Sequence, residues 1–239
     1  MSVAEAVAHG VSGPLGVGFR GIGPQLLGMK FIIGTGELIT VGGRTVKNVA
    51  GYDATRMMVG NLNGLGRITE LTLRTRALPE AAAALRVEGV DEPALTRSLT
   101  ALLCDDAAPD GLAWRQVVGE RPTLTMTYLG REHAIGVRRD AGERWLGETF
   151  DHAPIGIDRE EAAGQAAVAP RAEPTWRWSA SVVMKLIVPA GLTGDAAAQL
   201  RSAGLPTGSA IESLPTVGIV FVGGEWSVDR AAALDRAAL

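Results

Sequence analysis

Hydrophobic positions in the first eighty residues come in short runs separated by glycine-rich stretches. "MKFII", "GTGE" and "LITV" read as two strands joined by a glycine-containing hairpin turn. After the loop "GGRTVKNVAGY", Asp53 is placed to cap a short helix, "ATRMMV", with Gly60 as its C-terminal stop. A second glycine loop leads into "RITELTLRTR", where Leu71 and Leu73 alternate with Thr72 and Arg74 as in a half-buried strand. Pro79 ends that strand.

The rhythm then changes. "AALRVEGV" predicts a strand, and "DEPALTRSLTALLCDD" a helix capped by Asp91 with Pro93 in its first turn. "GLAWRQV" and "TLTMTYLG" read as strands and "REHAIGVRRDAGERWLG" as a helix, followed by a loop rich in Ala and Glu to about residue 174. A strand "SASVVMKLIV", a helix near "GDAAAQLRSAG", a strand "TVGIVFVGG" and a last helix "SVDRAAALDRAAL" complete the chain. Strands and helices alternate too irregularly for a doubly wound sheet, so the expected class is α+β.

Composition sharpens this outline. The 239 residues suffice for one large domain or two small ones. The chain turns rich in Ala, Arg and Glu after "RALPE", which predicts a boundary between residues 1–80 and 81–239. A net charge of -3 gives no reason to expect nucleic acid. No apolar run approaches the ~20 residues of a membrane span, and "MSVAEAVAHG" lacks the basic and apolar regions of a signal peptide. Cys104 is the only cysteine, which excludes disulfides, zinc fingers and iron–sulfur clusters within this chain and points to the cytoplasm. His9, His133 and His152 are far apart, so no metal site is expected.

Glycine is the informative excess, at 31 residues against a usual share of about 7%. Glycine loops at strand ends let backbone N–H groups approach a ligand, often an anionic one. In "GNLNGLGRITE", Gly60, Gly64 and Gly66 leave the main chain unobstructed, and Asn63 tolerates a left-handed conformation. Tight turns alone would use the same residues, so composition leaves both readings open.

Residue identity adds weight to one of them. "GGRTVKNVAGYDATRMMVGNLNGLGRITELTLRTRALPE" resembles the second half of the PCMH-type FAD-binding domain of vanillyl-alcohol-oxidase-like flavoproteins, in particular the glycolate-oxidase-like branch. Upstream, "AVAHGVSGP" is similar to another loop of that domain. The likeness spans residues 4 to 80 and extends weakly to "TWRWSASV". It implies the second subdomain of a PCMH-type domain followed by a cap-like α+β domain. It further implies that His9, Gly10, Val11 and Ser12, with Leu62, Asn63, Gly64, Leu65, Gly66, Arg67 and Ile68, line FAD through main-chain contacts. The two loops should then lie side by side.

The resemblance also implies an FAD-dependent oxidoreductase: a subunit of a glycolate-oxidase-like complex that oxidises a 2-hydroxy acid. Its partners would be a flavin-binding catalytic subunit and an iron–sulfur subunit, and any membrane association would come through them. Departures from the family pattern are Ala4-Glu5, "GIGP" at residues 21–24, Asn63-Gly64 and Arg67. Relative to the family the chain reads as truncated at both ends, without the glycine-rich pyrophosphate loop. A cofactor-free interaction subunit or remnant is therefore the alternative.

No residue stands out as catalytic. His9 is either a loop histidine or a covalent flavin attachment point, and Asp53 a helix cap or a general base. Arg44 and Lys47 are solvated charges or phosphate partners, and Tyr52 fills core or packs on flavin. Trp176 and Trp178 suit a sheet face, and Cys104 a buried structural thiol.

Overall fold

The computed structural model describes residues 2–11, 13–43, 54–150, 155–163 and 182–226, with residues 155–163 and 182 described by their backbone. The described residues divide into two compact units. One is drawn from Met1–Gly13 and Phe19–Ala77, the other from Pro14–Gly18 and Leu78–Leu239. The chain thus passes into the second unit for five residues, returns, and leaves the first unit after Ala77, three residues before the compositional shift.

The first unit begins with a helix, α1 (Val3–Ala8), where only a loop was expected. Its signal is a capping box: the Glu5 N–H donates to Ser2 Oγ at 3.2 Å and the Ser2 N–H to Glu5 Oε2 at 2.6 Å. After α2 (Gly16–Phe19), which lies mostly in the segment that belongs to the second unit, a 3₁₀ turn at Gly23–Gln25 leads to β1 (Leu26–Ile32). The expected hairpin joins it to β2 (Leu38–Gly42), and α3 (Ala54–Met57) precedes β3 (Arg67–Leu73). These strands form an antiparallel sheet in the order β2-β1-β3. Simple alternation in β3 fails because the register slips between Lys30 and Phe31, opposite Glu70 and Ile68. Ile68 is therefore buried while Leu73 is exposed. Val7, Ala8, Leu26, Met29, Phe31, Met58 and Ile68 make a small core.

The second unit carries a seven-stranded antiparallel sheet in the order β7-β4-β6-β5-β9-β10-β8. Its strands are β4 (Ala81–Glu88), β5 (Gly111–Val117), β6 (Thr123–Gly130), β7 (Ile155–Ala163), β8 (Val182–Ile187), β9 (Ala210–Leu214) and β10 (Ile219–Gly224). Helices α4 (Glu92–Leu103), α5 (Glu132–Thr149) and α6 (Thr193–Ser202) pack their apolar residues on one face. Asp91 caps α4 as expected, its Oδ2 accepting the Ala94 N–H at 3.4 Å. Trp114 and Tyr128 anchor the core, donating to the Val90 carbonyl at 2.7 Å and the Ala107 carbonyl at 3.1 Å. Burial pushes the Tyr128 phenol far above its ordinary value. The Pro14–Gly18 segment ties onto β5: the Leu112 N–H donates to the Pro14 carbonyl at 2.9 Å, and the Gly18 N–H to the Asp110 carbonyl at 2.9 Å.

Two expectations are corrected here. The stretch taken as a loop to residue 174 contains β7, which pairs with β4 from Ala81 to Glu88. Its run "DREEAA" looks unlike a strand, but β7 lies at the margin of the sheet, where charged residues are tolerated and discourage further pairing. β9 was not foreseen, because Glu212 and Ser213 interrupt "AIESL"; both are nonetheless buried, in a strand flanked on each side. Asp53, Tyr52, Arg44, Lys47, Trp176, Trp178 and the expected last helix lie outside the described residues. Cys104 is exposed rather than buried, because it sits at the C-cap of α4, past the last turn that faces the sheet. Among the described residues, no helix is long and apolar enough to cross a membrane.

Candidate functional site

Of the two loops expected to line a ligand, the first is the exit from α1. Gly10 adopts φ 57° just past the helix C-cap His9. Its N–H donates to the Val7 carbonyl at 2.9 Å, and the Val11 N–H reaches back to the Ala6 carbonyl at 2.9 Å. This is a Schellman cap, in which glycine supplies the left-handed residue. The amides of His9, Gly10 and Val11 are thereby occupied within the helix end, so this loop presents carbonyls and side chains to a ligand. His9 itself is exposed. Ser12 lies outside the described residues.

The second loop leaves α3 through Met58 and Gly60. The Gly60 N–H donates to the Val7 carbonyl and the Leu62 N–H to the Ala8 carbonyl, both at 2.9 Å. These two bonds set the Leu62–Gly66 loop directly beside the end of α1, in the side-by-side arrangement anticipated from the sequence. Asn61, which sequence reasoning passed over, sits between them. Its Nδ2 donates to the Met58 carbonyl, and its Oδ1 is enclosed without a partner. The signal was an asparagine directly after a left-handed glycine, Gly60 at φ 76°.

Leu62 and Asn63 both take left-handed conformations, at φ 53° and 62°. For leucine this costs roughly 1–2 kcal/mol, which the two bonds to α1 help offset. The Gly64 N–H closes the turn onto the Asn61 carbonyl at 2.8 Å. Among the described residues, the amides of Asn63 and Leu65 donate to no acceptor, and both residues are exposed. Gly66 is buried where the loop enters β3, and a Cβ there would lie 2.7 Å from the Ile32 carbonyl oxygen. Arg67 and Ile68 open β3 opposite Ile32 and Phe31; Arg67 is exposed and Ile68 is core. The structure thus ties Gly60 and Leu62 to the end of α1 and buries the Ile68 side chain in the core.

Chemically, the pair of loops offers main-chain donors, carbonyl acceptors and two exposed leucines, Leu62 and Leu65. Among the described residues it contains no acid–base pair. Among the described residues, no group of three or more His, Cys, Asp or Glu side chains could hold a metal ion. Such a surface suits binding and orienting a ligand that brings its own reactivity.

Comparison with solved structures decides the fold. An alkyldihydroxyacetonephosphate synthase superposes with a TM-score of 0.63 at 13% identity, covering 99% of this chain and 51% of that one. The VAO-type flavoprotein MtVAO615 from Myceliophthora thermophila C1 gives 0.61 at 15% identity, over 99% of this chain and 50% of its own.

The chain shares the fold of about half of each of these structures.

Sequence relatives agree with that fold. Glycolate oxidase subunit GlcE of Escherichia coli K12 is 39% identical over 82 residues, which is 34% of this chain and 23% of the relative. The mitochondrial D-lactate dehydrogenase [cytochrome] of Arabidopsis thaliana is 33% identical over 79 residues, 33% of this chain and 14% of that protein. The chain therefore spans about half of each of these two solved structures and aligns with less than a quarter of these two sequence relatives. No protein-family model matches it.

Proposed function

We propose that this chain is an FAD-binding part of an oxidoreductase acting on a 2-hydroxy acid, working as a subunit of a glycolate-oxidase-like complex. The observation that carries this reading is the pairing of the α1 exit with the Leu62–Gly66 loop, in a chain with the VAO-type fold. The relatives, a glycolate oxidase subunit and a D-lactate dehydrogenase, suggest the substrate class. Bound FAD supplies the two-electron acceptor for oxidation of the hydroxy acid. The residues of this chain hold and orient it: the Asn63 and Leu65 amides as donors, the α1 exit as acceptor surface, and Leu62 and Leu65 as apolar contacts. A catalytic flavin-binding subunit and an iron–sulfur subunit are the proposed partners, in the cytoplasm or held at a membrane by them.

Two free loop amides make a weak site on their own. Hydrogen bonds to charged groups contribute about 1.5–3 kcal/mol each, and about 1.4 kcal/mol changes affinity tenfold. The chain alone is therefore expected to bind FAD weakly, and a partner supplying phosphate donors should tighten binding by orders of magnitude. Titration of FAD into the chain, alone and with candidate partner subunits, checks this through flavin fluorescence. Tight stoichiometric binding by the chain alone would overturn the partner requirement, and no binding in either setting would overturn the FAD reading. The occupied amides of His9, Gly10 and Val11 favour a second reading, in which the chain is a cofactor-free interaction subunit. Colourless protein in a complex whose flavin contacts no residue of this chain would select it.

A further inference from the structure

Among the described residues the second unit buries two carboxyl side chains, Glu212 in β9 and Glu92, and Glu92 sits where three elements meet. Glu92 opens α4 and is fully enclosed, at 0% exposure. Its Oε1 accepts the Ser213 hydroxyl of β9 at 2.6 Å. Its Oε2 is enclosed too, and among the described residues meets no hydrogen-bond partner within bonding distance. That oxygen lies against Gly194, in the first turn of α6, where an added Cβ would sit 2.5 Å from it. Nearby, Thr96 of α4 and Thr193 of α6 bond through their hydroxyls at 3.2 Å, and Thr193 also donates to the Ala190 carbonyl at 3.1 Å. Three elements meet at one carboxyl.

Among the described residues, the charged groups around this corner are these. Arg201 of α6 stands 3.9 Å from Asp91 at the α4 cap, and 5.6 Å over the Trp114 ring. Asp195 lies in the first turn of α6 and is exposed. Burial pushes the Glu92 carboxyl above its ordinary value; the Ser213, Thr193 and Thr96 hydroxyls and the Arg201 charge act against that rise.

We infer that Glu92 is a proton-dependent latch, which holds the starts of α4 and α6 against β9 when protonated and loosens that corner when ionised. With a proton on Oε2 the enclosed group is neutral. Without it, a full charge is left enclosed, with Ser213 as its close donor and only the Thr193 and Thr96 hydroxyls and the Arg201 charge to offset the burial, and the corner opens to hydrate it. The direction follows from linkage. The folded state holds the proton more tightly than the unfolded chain does. Stability is therefore full in acid and declines as pH rises from the ordinary 4.5 through the raised value.

Amide hydrogen exchange of the whole chain tests this at about pH 5 and about pH 8.5, with rates corrected for intrinsic chemistry, since each pH unit across that window changes protection by up to about tenfold. Protection at residues 193–200 and 210–214 is expected to fall roughly tenfold or more relative to β4. Glu92→Gln carries no titrating group, so its protection should not change with pH. Ser213→Ala removes the donor that favours the charged form, so the fall should move to higher pH. Wild-type protection that does not change with pH, or the same fall in Glu92→Gln, overturns the latch. If Glu92→Gln does not fold, an unshifted profile in Ser213→Ala overturns it instead.

Discussion

The two units solve different problems. The second spreads a wide antiparallel sheet under three helices and fills the layer between with Trp114, Tyr128, Met126 and a set of leucines, all nearly inaccessible. The first has three strands, two short helices and a handful of core side chains. Much of its specificity lies in main-chain bonds between loops. One unit is held by side-chain volume, the other by backbone geometry, and only the second kind leaves donors facing outward for a ligand.

The largest test of that contrast is Trp114→Ala. It removes a fully buried indole and leaves the Val90 carbonyl without its donor. A loss of about 3–5 kcal/mol is expected, read from chemical denaturation. Hydrogen exchange should show the loss confined to the second unit. Equal loss of protection in β1 and β3 would mean that the two units are not separately stabilised.

Gly66→Ala strikes the first unit where the backbones crowd. The new methyl meets the Ile32 carbonyl and the Phe31 ring. About 1–3 kcal/mol of destabilisation is expected from the forced shift, together with loss of FAD affinity as Asn63 and Leu65 move. Unchanged melting and unchanged flavin binding would show that the loop geometry is looser than described. The smallest effect belongs to Lys30→Ala. Lys30 pairs with Glu70 across β1 and β3 at 2.7 Å, with both side chains well exposed. A change of about 0.2–1 kcal/mol that shrinks with added salt is expected, again by denaturation. A larger, salt-independent change would make side-chain pairing a real contributor to the first unit.

The contrast also explains what was legible in the sequence. Elements rich in buried apolar residues could be read directly: β5 and β6 fall on "GLAWRQV" and "TLTMTYLG", β6 with an alternating buried face, and α4 starts at its Asp91 cap. β7 and β9 were hidden because sheet neighbours, not their own composition, make them strands. The glycine loops suggested main-chain donors for a ligand, but not which amides would be free. That depends on the Schellman cap at Gly10, which consumes the donors of the first loop and leaves those of Asn63 and Leu65. The capping box of α1 was written plainly in Ser2 and Glu5, but the helix spans only six residues and shows little periodicity.

The Pro14–Gly18 segment sets an order of events during synthesis. Its anchoring partners, Asp110 and Leu112, leave the ribosome roughly a hundred residues later. At about 5–20 residues per second, that is a wait of roughly 5 to 20 seconds. Until then, the segment between α1 and β1 has no sheet to dock on. The nascent first unit can form its hairpin and its helix cap, but the stretch that follows the α1 exit stays unanchored. Completion of an early-made part of this chain therefore depends on strands translated much later.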